Sequence, residues 1–264
     1  MILTDSFVML NFPRTGSTFV RSVLRRLYGP WWNVIGLHST PRASSGFREL
    51  MLPIDRTAKA ERLGRVSQHG RWGQIPAQYR HLPVVSVIRH PLDHTVSHYW
   101  HDDWWRSPPA SEAALRHRYP LWPRLSFEEY LDFEQAFALP DVLKGARPPA
   151  TIGNLTAHFV RFYARDPDAC LAGLTEARIG SCDLARDLPP IRWLRHDRLA
   201  DDLALFLREV GHSARRVSRA CCQPPVNVSH SRLGRPWQRF YTPDLESLKR
   251  HRERLLFRLF PEFA

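Results

Sequence analysis

"NFPRTGSTFVRSVL", residues 11–24, follows the short apolar run Phe7 to Leu10 and leads into residues with helical spacing. Phe7 to Phe12 reads as a buried strand and Pro13 to Thr18 as a turn. Ser17 to Tyr28 reads as a helix with Phe19, Val20, Val23, Leu24 and Leu27 on one face. A turn between a buried strand and a helix presents successive backbone N–H groups and the positive end of the helix dipole to one point, and an anion is at home there. Gly16 permits close backbone approach, Ser17 and Thr18 add hydroxyl donors, and Arg14 offers a permanent charge. The competing reading is an ordinary strand-to-helix turn capped by Ser17.

Outward from this unit, Val84 to Ile88 is the clearest strand, a β-branched run ended by Arg89-His90-Pro91, whose proline can open a helix over about Pro91 to Trp104. Asn33 to Leu37 and Gly64 to Gln68 read as further strands, with a short helix over Thr57 to Leu63 between them. Ile191 to Leu194 reads as a late strand, and Ala200 to Val210 as an amphipathic helix. Asn154 to Ala164 is predicted helical, Gln223 to Gln238 loop-like, and Thr242 caps a terminal helix reaching about Leu259. Strands alternating with helices predict an α/β fold: one domain over 1–264, with a central, mainly parallel sheet flanked by helices. Prolines and charges break the pattern over about 107–150 around one helix, Ser126 to Phe137. Ser126 is its N-cap and Glu129 completes a capping box, and the segment reads as a helical insertion or lid.

The 264 residues carry 38 Lys and Arg against 26 Asp and Glu, a formal charge of +12. The expected partner or substrate is therefore anionic: a nucleotide, nucleic acid, a membrane surface or an acidic glycan. All but Lys59, Lys144 and Lys249 of the basic residues are arginines. Arginine suits bidentate phosphate and sulfate contacts, although an arginine-biased genome would produce the same excess. Met1 to Ser6 lack the form of a signal peptide and no apolar run is long enough to span a membrane, so a soluble, cytoplasmic protein without a transmembrane segment is expected. Cys170, Cys182, Cys221 and Cys222 have neither zinc-site nor disulfide-framework spacing and read as free thiols. Asn154-Leu155-Thr156 and Asn227-Val228-Ser229 match the glycosylation tripeptide and are assigned no function.

The identity of the anion follows from what the loop lacks. Triphosphate loops read Gly-x-x-x-x-Gly-Lys-Ser/Thr, with the lysine on terminal phosphates and the hydroxyl on magnesium. Here the loop is shorter, its cation precedes the glycine, and no clear metal-binding acidic strand end follows. "PRTGST" instead resembles the 5′-phosphosulfate loop of sulfotransferases, commonly Pro-Lys/Arg-Ser-Gly-Thr-Thr, with Arg14 for the commoner lysine and Phe19 for a frequent tryptophan. "VVSVIRHPLDHTVSHYWH", 84–101, resembles the family's 3′-phosphate signature: Arg89, Pro91, Asp93 and Ser97 match in type and spacing, with His90 replacing an asparagine. "SRLGRPWQRFYT", 231–242, resembles the loop that closes over the 3′-phosphate, with Leu233 in place of its lysine. In "WLRHDRLADDLALFLREVG", 193–211, Asp197 stands where a structural glutamate often occurs.

The resemblance runs in order from about residue 7 to 258 and implies a P-loop-like nucleotide fold. Its donor substrate would be 3′-phosphoadenosine 5′-phosphosulfate (PAPS), its product adenosine 3′,5′-bisphosphate, and no metal would be required. The implied donor contacts are Arg14, Thr15, Gly16, Ser17, Thr18, Phe19, Arg89, Ser97, Arg232 and Gly234. The implied base is His69, in "RVSQHGRWGQIP", with His38 in "VIGLHSTPR" as rival and Glu49 as a more distant one. The implied reaction is in-line sulfuryl transfer, with Arg14 stabilising charge on the departing phosphate. The acceptor would be a small molecule, glycan, lipid or peptide bearing a hydroxyl or amine, chosen by loops and the 107–150 insertion. Of Trp31, Trp32, Trp100, Trp104 and Trp105, about half are expected in the core and the rest around an acceptor. The nearest alternative is a P-loop nucleotide or small-molecule kinase. A basic nucleic-acid-binding protein is a second, but it leaves two phosphate motifs in the order of one nucleotide fold unexplained.

Overall fold

The computed structural model describes residues 1–29, 46–101, 103–184, 186–223 and 236–264. The expected strand Asn33 to Leu37 and the residues Trp31, Trp32, His38, Arg232 and Gly234 lie outside them. Two compact units are formed. One comprises Met1–Leu52, Val66–Arg89 and Pro190–Val228; the other comprises Pro53–Arg65, His90–Pro189 and Ser229–Ala264.

The first unit is built on a five-stranded sheet of β1 (Ile2–Thr4), β2 (Val8–Leu10), β3 (Phe47–Glu49), β4 (Val84–Ile88) and β5 (Arg192–Arg195), in the order β3-β1-β2-β4-β5. β2 pairs in parallel with β4, Val8 opposite Val84 and Leu10 opposite Ser86, and β4 in parallel with β5, Val85 opposite Arg192 and Ile88 opposite Arg195. β1 runs antiparallel to both β2 and β3, so four of the five strands point one way. The architecture is α/β with a mainly parallel sheet, as the alternating pattern predicts. β4 is buried along its whole length, which is why it reads as an unbroken apolar run rather than an alternating one.

Helix α1 (Ser17–Tyr28) lays Val20, Val23, Leu24 and Leu27 onto a core with Met9, Val85, Val87, Leu194, Phe206 and Leu207. Phe7 meets Phe206 edge to face at 5.0 Å. The helices Leu199–Glu209 and Ala214–Cys221 contribute Leu203, Phe206, Val217 and Ala220 to the same cluster. β1 and β3, of three residues each, are too short for a period of two to stand out in the sequence. The strand expected over Gly64 to Gln68 is reduced to Val66–Ser67, outside this sheet.

The second unit is helical. The helix begun at Pro91 stops at Tyr99, short of the expected Trp104. Beyond the break the Trp104 indole N–H donates to the Tyr99 carbonyl at 2.9 Å, and Trp104 packs with Tyr119, Trp122, Tyr130 and Phe133. Burial of this aromatic cluster outweighs another turn of helix. Trp104 is thus core, Trp100 half-buried, and Trp105 lies at the surface under Arg106. Residues 107–150 belong to this unit, and Ser126 with Glu129 forms the expected capping box of the helix Phe127–Phe133.

The helix expected to run on to Leu259 is instead two, Pro243–Arg252 and Arg254–Leu259, separated at Glu253. The Glu253 carboxylate caps another helix, Asn154–Tyr163: it accepts the N–H of Leu155 at 3.2 Å and of Thr156 at 2.7 Å, and the Thr156 hydroxyl at 2.6 Å. A β-carbon on Gly153 would lie 2.1 Å from Glu253 Oε1, so this close approach requires glycine. Buried Lys249 sits between Glu134 and Glu253, 2.8 and 3.1 Å from their oxygens. Among the described residues no helix is long and apolar enough to cross a membrane, and the four cysteines are free.

Candidate anion-binding active site

The carboxyl ends of β2 and β4 are neighbours in a parallel pair, so the turns that leave them emerge side by side. Ligands of open α/β sheets bind at such strand tips. After β2, Arg14 (φ +63°) and Gly16 (φ +92°) both take left-handed backbone, which folds the turn tightly before α1 starts at Ser17. Gly16 stands at the N-cap and has no side chain to close the helix end. No acidic residue lies in the first turn, so the positive end of α1 has no carboxylate of its own there. Ser17 is therefore the first helical residue, not the cap of an ordinary turn. A β-carbon at Gly16 would meet Leu199 Cδ2 at 2.6 Å and His196 Cδ2 at 3.5 Å, so the loop lies pressed against the segment that follows β5.

The loop's expected ligand groups fall into two sets. Thr15 is buried and its hydroxyl donates to the Phe12 carbonyl at 2.8 Å, so its side chain shapes the loop. Phe19 packs against the core of the first unit. Arg14 is half-buried, and its carbonyl accepts Arg89 Nη1 at 2.9 Å. Arg89, 8% exposed, thus brings a guanidinium from the end of β4 to the turn after β2. Burial pulls its pKa down to about 10, still high enough to keep it charged at neutral pH.

His69 reaches the same strand end. Its Nδ1 lies 2.6 Å from the carbonyl oxygen of Asn11, the residue after β2, and its backbone N–H donates to Ser67 Oγ at 3.0 Å. A carbonyl only accepts, so Nδ1 carries a proton, and in the neutral ring the lone pair is then on Nε2. This is the tautomer and tether that a general base needs. Glu49, by contrast, spends its carboxylate on Arg21, at 2.7 Å, and on Arg25. Burial alone would raise its pKa, but the two guanidiniums hold it below the usual carboxylate range, which makes it a poor base.

Two residues of this site were not among the sequence candidates. The Asn11 side chain is 1% exposed, and neither Nδ2 nor Oδ1 has a hydrogen-bond partner among the described residues. Leaving such groups unmet costs about 1–3 kcal/mol each, so the amide is held beside the loop at a cost that bound polar matter would relieve. His196, directly after β5, has its pKa pulled down to about 4, by burial first and then by the charge of Arg89, against a smaller opposing effect of Asp197. It is a neutral imidazole at pH 7. The signal for both was positional: each is the residue immediately beyond the last strand residue or one step from it, at the sheet's carboxyl edge.

No family model matches the sequence, and no curated protein does. Among solved structures, a crystal structure of mouse sulfotransferase SULT7A1 complexed with PAP is similar at 13% identity and a TM-score of 0.43, over 98% of this chain and 89% of that one.

The remaining sequence candidates divide as follows. Arg14, Thr15, Gly16, Ser17, Thr18, His69 and Arg89 all belong to the first unit, together with Asn11 and His196. Ser97 is buried on the helix Pro91–Tyr99, in the second unit. His90 caps that helix, its Nδ1 accepting the N–H of Leu92 at 3.3 Å, and its ring stacks on Trp237 at 4.7 Å. A histidine therefore does at this position the capping work for which asparagine is well suited.

Proposed function

We propose that the chain is a sulfotransferase that moves the sulfuryl group of PAPS onto a hydroxyl or amine. The observation that carries the reading is the His69 Nδ1 bond to the Asn11 carbonyl, which tethers a base at the edge of an uncapped, arginine-flanked anion loop. The order of the sequence motifs from residue 7 to 258 supports the same donor.

When bound, PAPS supplies the sulfur electrophile and a phosphate leaving group. The first-turn N–H groups of α1, the Ser17 and Thr18 hydroxyls and Arg14 hold the 5′ end and stabilise the charge that collects there as the sulfur–oxygen bond breaks. Arg89 serves the 3′-phosphate, and Ser97, Arg232 and Gly234 are the further contacts that the sequence resemblance implies for it. His69 Nε2 takes the acceptor's proton as its oxygen or nitrogen attacks sulfur. Arginine keeps its protons, so Arg14 acts by charge and hydrogen bonding, not as an acid. The orphaned Asn11 amide and the neutral His196 ring are further polar groups at the donor's edge of the sheet.

Thermal melts with adenosine 3′,5′-bisphosphate, with ATP and magnesium, and with single-stranded DNA separate this reading from a kinase and from a nucleic-acid binder. The bisphosphate at about a hundred times its Kd adds roughly 2.7 kcal/mol, a rise of several degrees, without metal. No stabilisation at saturating bisphosphate sinks the proposal.

A further inference from the structure

In the first unit the turn that follows His69 holds a cation to which the donor motifs give no role, Arg71. The turn is fixed along its length. His69 is tethered at its backbone N–H by Ser67 Oγ and at its ring by the Asn11 carbonyl. The Arg71 N–H donates to Gln74 Oε1 at 3.0 Å, the Gln74 N–H to the Arg71 carbonyl at 3.0 Å, and the Ile75 N–H to the Trp72 carbonyl at 3.0 Å. The short helix Trp72–Gln74 is thereby closed on itself, and Ile75, 1% exposed, anchors its end in the core. Half-buried Arg71 folds back over this helix. A β-carbon at Gly73 would stand 2.5 Å from its Nη1 and 3.4 Å from its Cζ, so the guanidinium occupies the space that a side chain at position 73 would take. An arginine seated in this way has already given up much of the rotamer freedom that contact with an anion would otherwise cost.

Charge along this edge of the sheet is one-sided. The stretch Val66–Arg89 contains Arg71, Arg80 and Arg89 and no carboxylate. Glu49, at the end of β3, is held by Arg21 and Arg25, and Asp197, beyond β5, by Arg195. Asp5 lies in the turn between β1 and β2, at the far end of β2 from the loop. Arg89 reaches the Arg14 carbonyl and so belongs to the anion loop, and Arg80 Nε is spent on the Ile75 carbonyl at 3.1 Å. Arg71 belongs instead to the turn of the base. The backbones of His69 and Arg71, two residues apart, lie within about 7 Å of each other, so one small molecule or one sugar ring can meet both side chains.

We infer, on the sulfotransferase reading of the site, that Arg71 is a specificity-determining residue for the acceptor: the hydroxyl or amine that His69 deprotonates sits on a molecule that also carries a carboxylate, phosphate or sulfate, and the Arg71 guanidinium, seated over Gly73, binds that group. Its planar fork matches the paired oxygens of such an anion.

The test is calorimetric titration of the full chain saturated with adenosine 3′,5′-bisphosphate, so that the anion loop is filled before any probe is added. The probes are two pairs that differ chiefly in charge, 4-hydroxybenzoate with 4-hydroxybenzamide and glucose 6-phosphate with glucose. In at least one pair the anionic member binds saturably and at least tenfold more tightly. Arg71→Gln brings that pair to within about twofold, and Arg71→Lys, which keeps the charge and loses the fork, retains part of the preference. Gly73→Ala leaves every charge in place but displaces the guanidinium, and lowers the preference at least threefold. All three variants bind the bisphosphate within about twofold of wild type. Should Arg71→Gln fail to fold, Gly73→Ala and the paired probes on the unaltered protein still decide. With the bisphosphate bound, equal affinity for neutral and anionic members, no saturable binding of either anionic probe, or a preference that survives in Arg71→Gln overturns this inference alone. Failure of the bisphosphate to bind overturns the sulfotransferase reading and this inference with it.

Discussion

At Asn11 and His69 one backbone carbonyl fixes the tautomer of the neutral imidazole, because an oxygen that can only accept obliges Nδ1 to hold the proton. The expected consequence is a separation of roles. His69→Ala leaves affinity for adenosine 3′,5′-bisphosphate within about twofold and lowers transfer from PAPS by roughly 10²–10⁴, the range of a lost general base. Arg89→Ala, which removes a charge bonded to the Arg14 carbonyl, weakens the bisphosphate by about 10–100-fold, the worth of a charge-assisted contact. Equilibrium binding and single-turnover transfer on the two variants check this, and the reverse pattern would show the roles misassigned. Gly16→Ala tests the loop itself. Its φ of +92° and the 2.6 Å approach of Leu199 predict a loss of about 1–3 kcal/mol in denaturant melts, with bisphosphate binding impaired as well.

Among the elements, those buried on both faces or strongly amphipathic were legible in the sequence, and those whose form depends on a distant partner were not. β4 was read with its observed limits because Val84 to Ile88 has no polar residue but Ser86, and α1 because its apolar positions recur at helical spacing. β1 and β3 owe their existence to pairing, β1 with β2 and β3 with β1, which leaves no periodic trace in three residues. The terminal helix divides at Glu253 because that carboxylate is more valuable as the cap of Asn154–Tyr163 than as another helical surface residue, a contact 97 residues away in sequence. The candidate site was legible to a similar degree: Arg14, Gly16, His69 and Arg89 follow from motif order, whereas Asn11 and His196 carry no motif and emerge only from burial at the strand tips. The cap makes its own prediction. Glu253→Ala leaves the first N–H groups of that helix and the buried Lys249 ammonium short of a partner, and costs about 3–5 kcal/mol in urea unfolding. Loss of less than about 1 kcal/mol would refute the capping role.

For the whole molecule, burial of two neutral imidazoles fixes the direction in which pH acts. His196 has its pKa lowered to about 4 and His158 is held well below its ordinary value of 6.5, both chiefly by burial. The unfolded chain regains the ordinary value, so between about pH 6.5 and 4 it binds more protons than the native state does. Stability therefore rises with pH across that window: it is fully present above about 6.5 and is lost progressively as pH falls toward 4. For His196 alone the loss is on the order of 2–3 kcal/mol. A net charge of +12 adds self-repulsion in the same direction as carboxylates are neutralised. Urea melts at pH 7.5 and 5.0 should accordingly differ by a few kcal/mol in wild type and by clearly less in His196→Asn, which keeps a polar group but cannot titrate. Ligand binding reverses the sign at this one residue. Under the proposed function, a phosphate-bearing nucleotide offsets the field of Arg89, the second cause of the shift after burial, and favours the imidazolium, so bisphosphate affinity increases from pH 8 to pH 5.5 in wild type, while in His196→Asn this part of the increase disappears. Identical pH slopes for the two proteins would remove His196 from the site and leave its burial as packing alone.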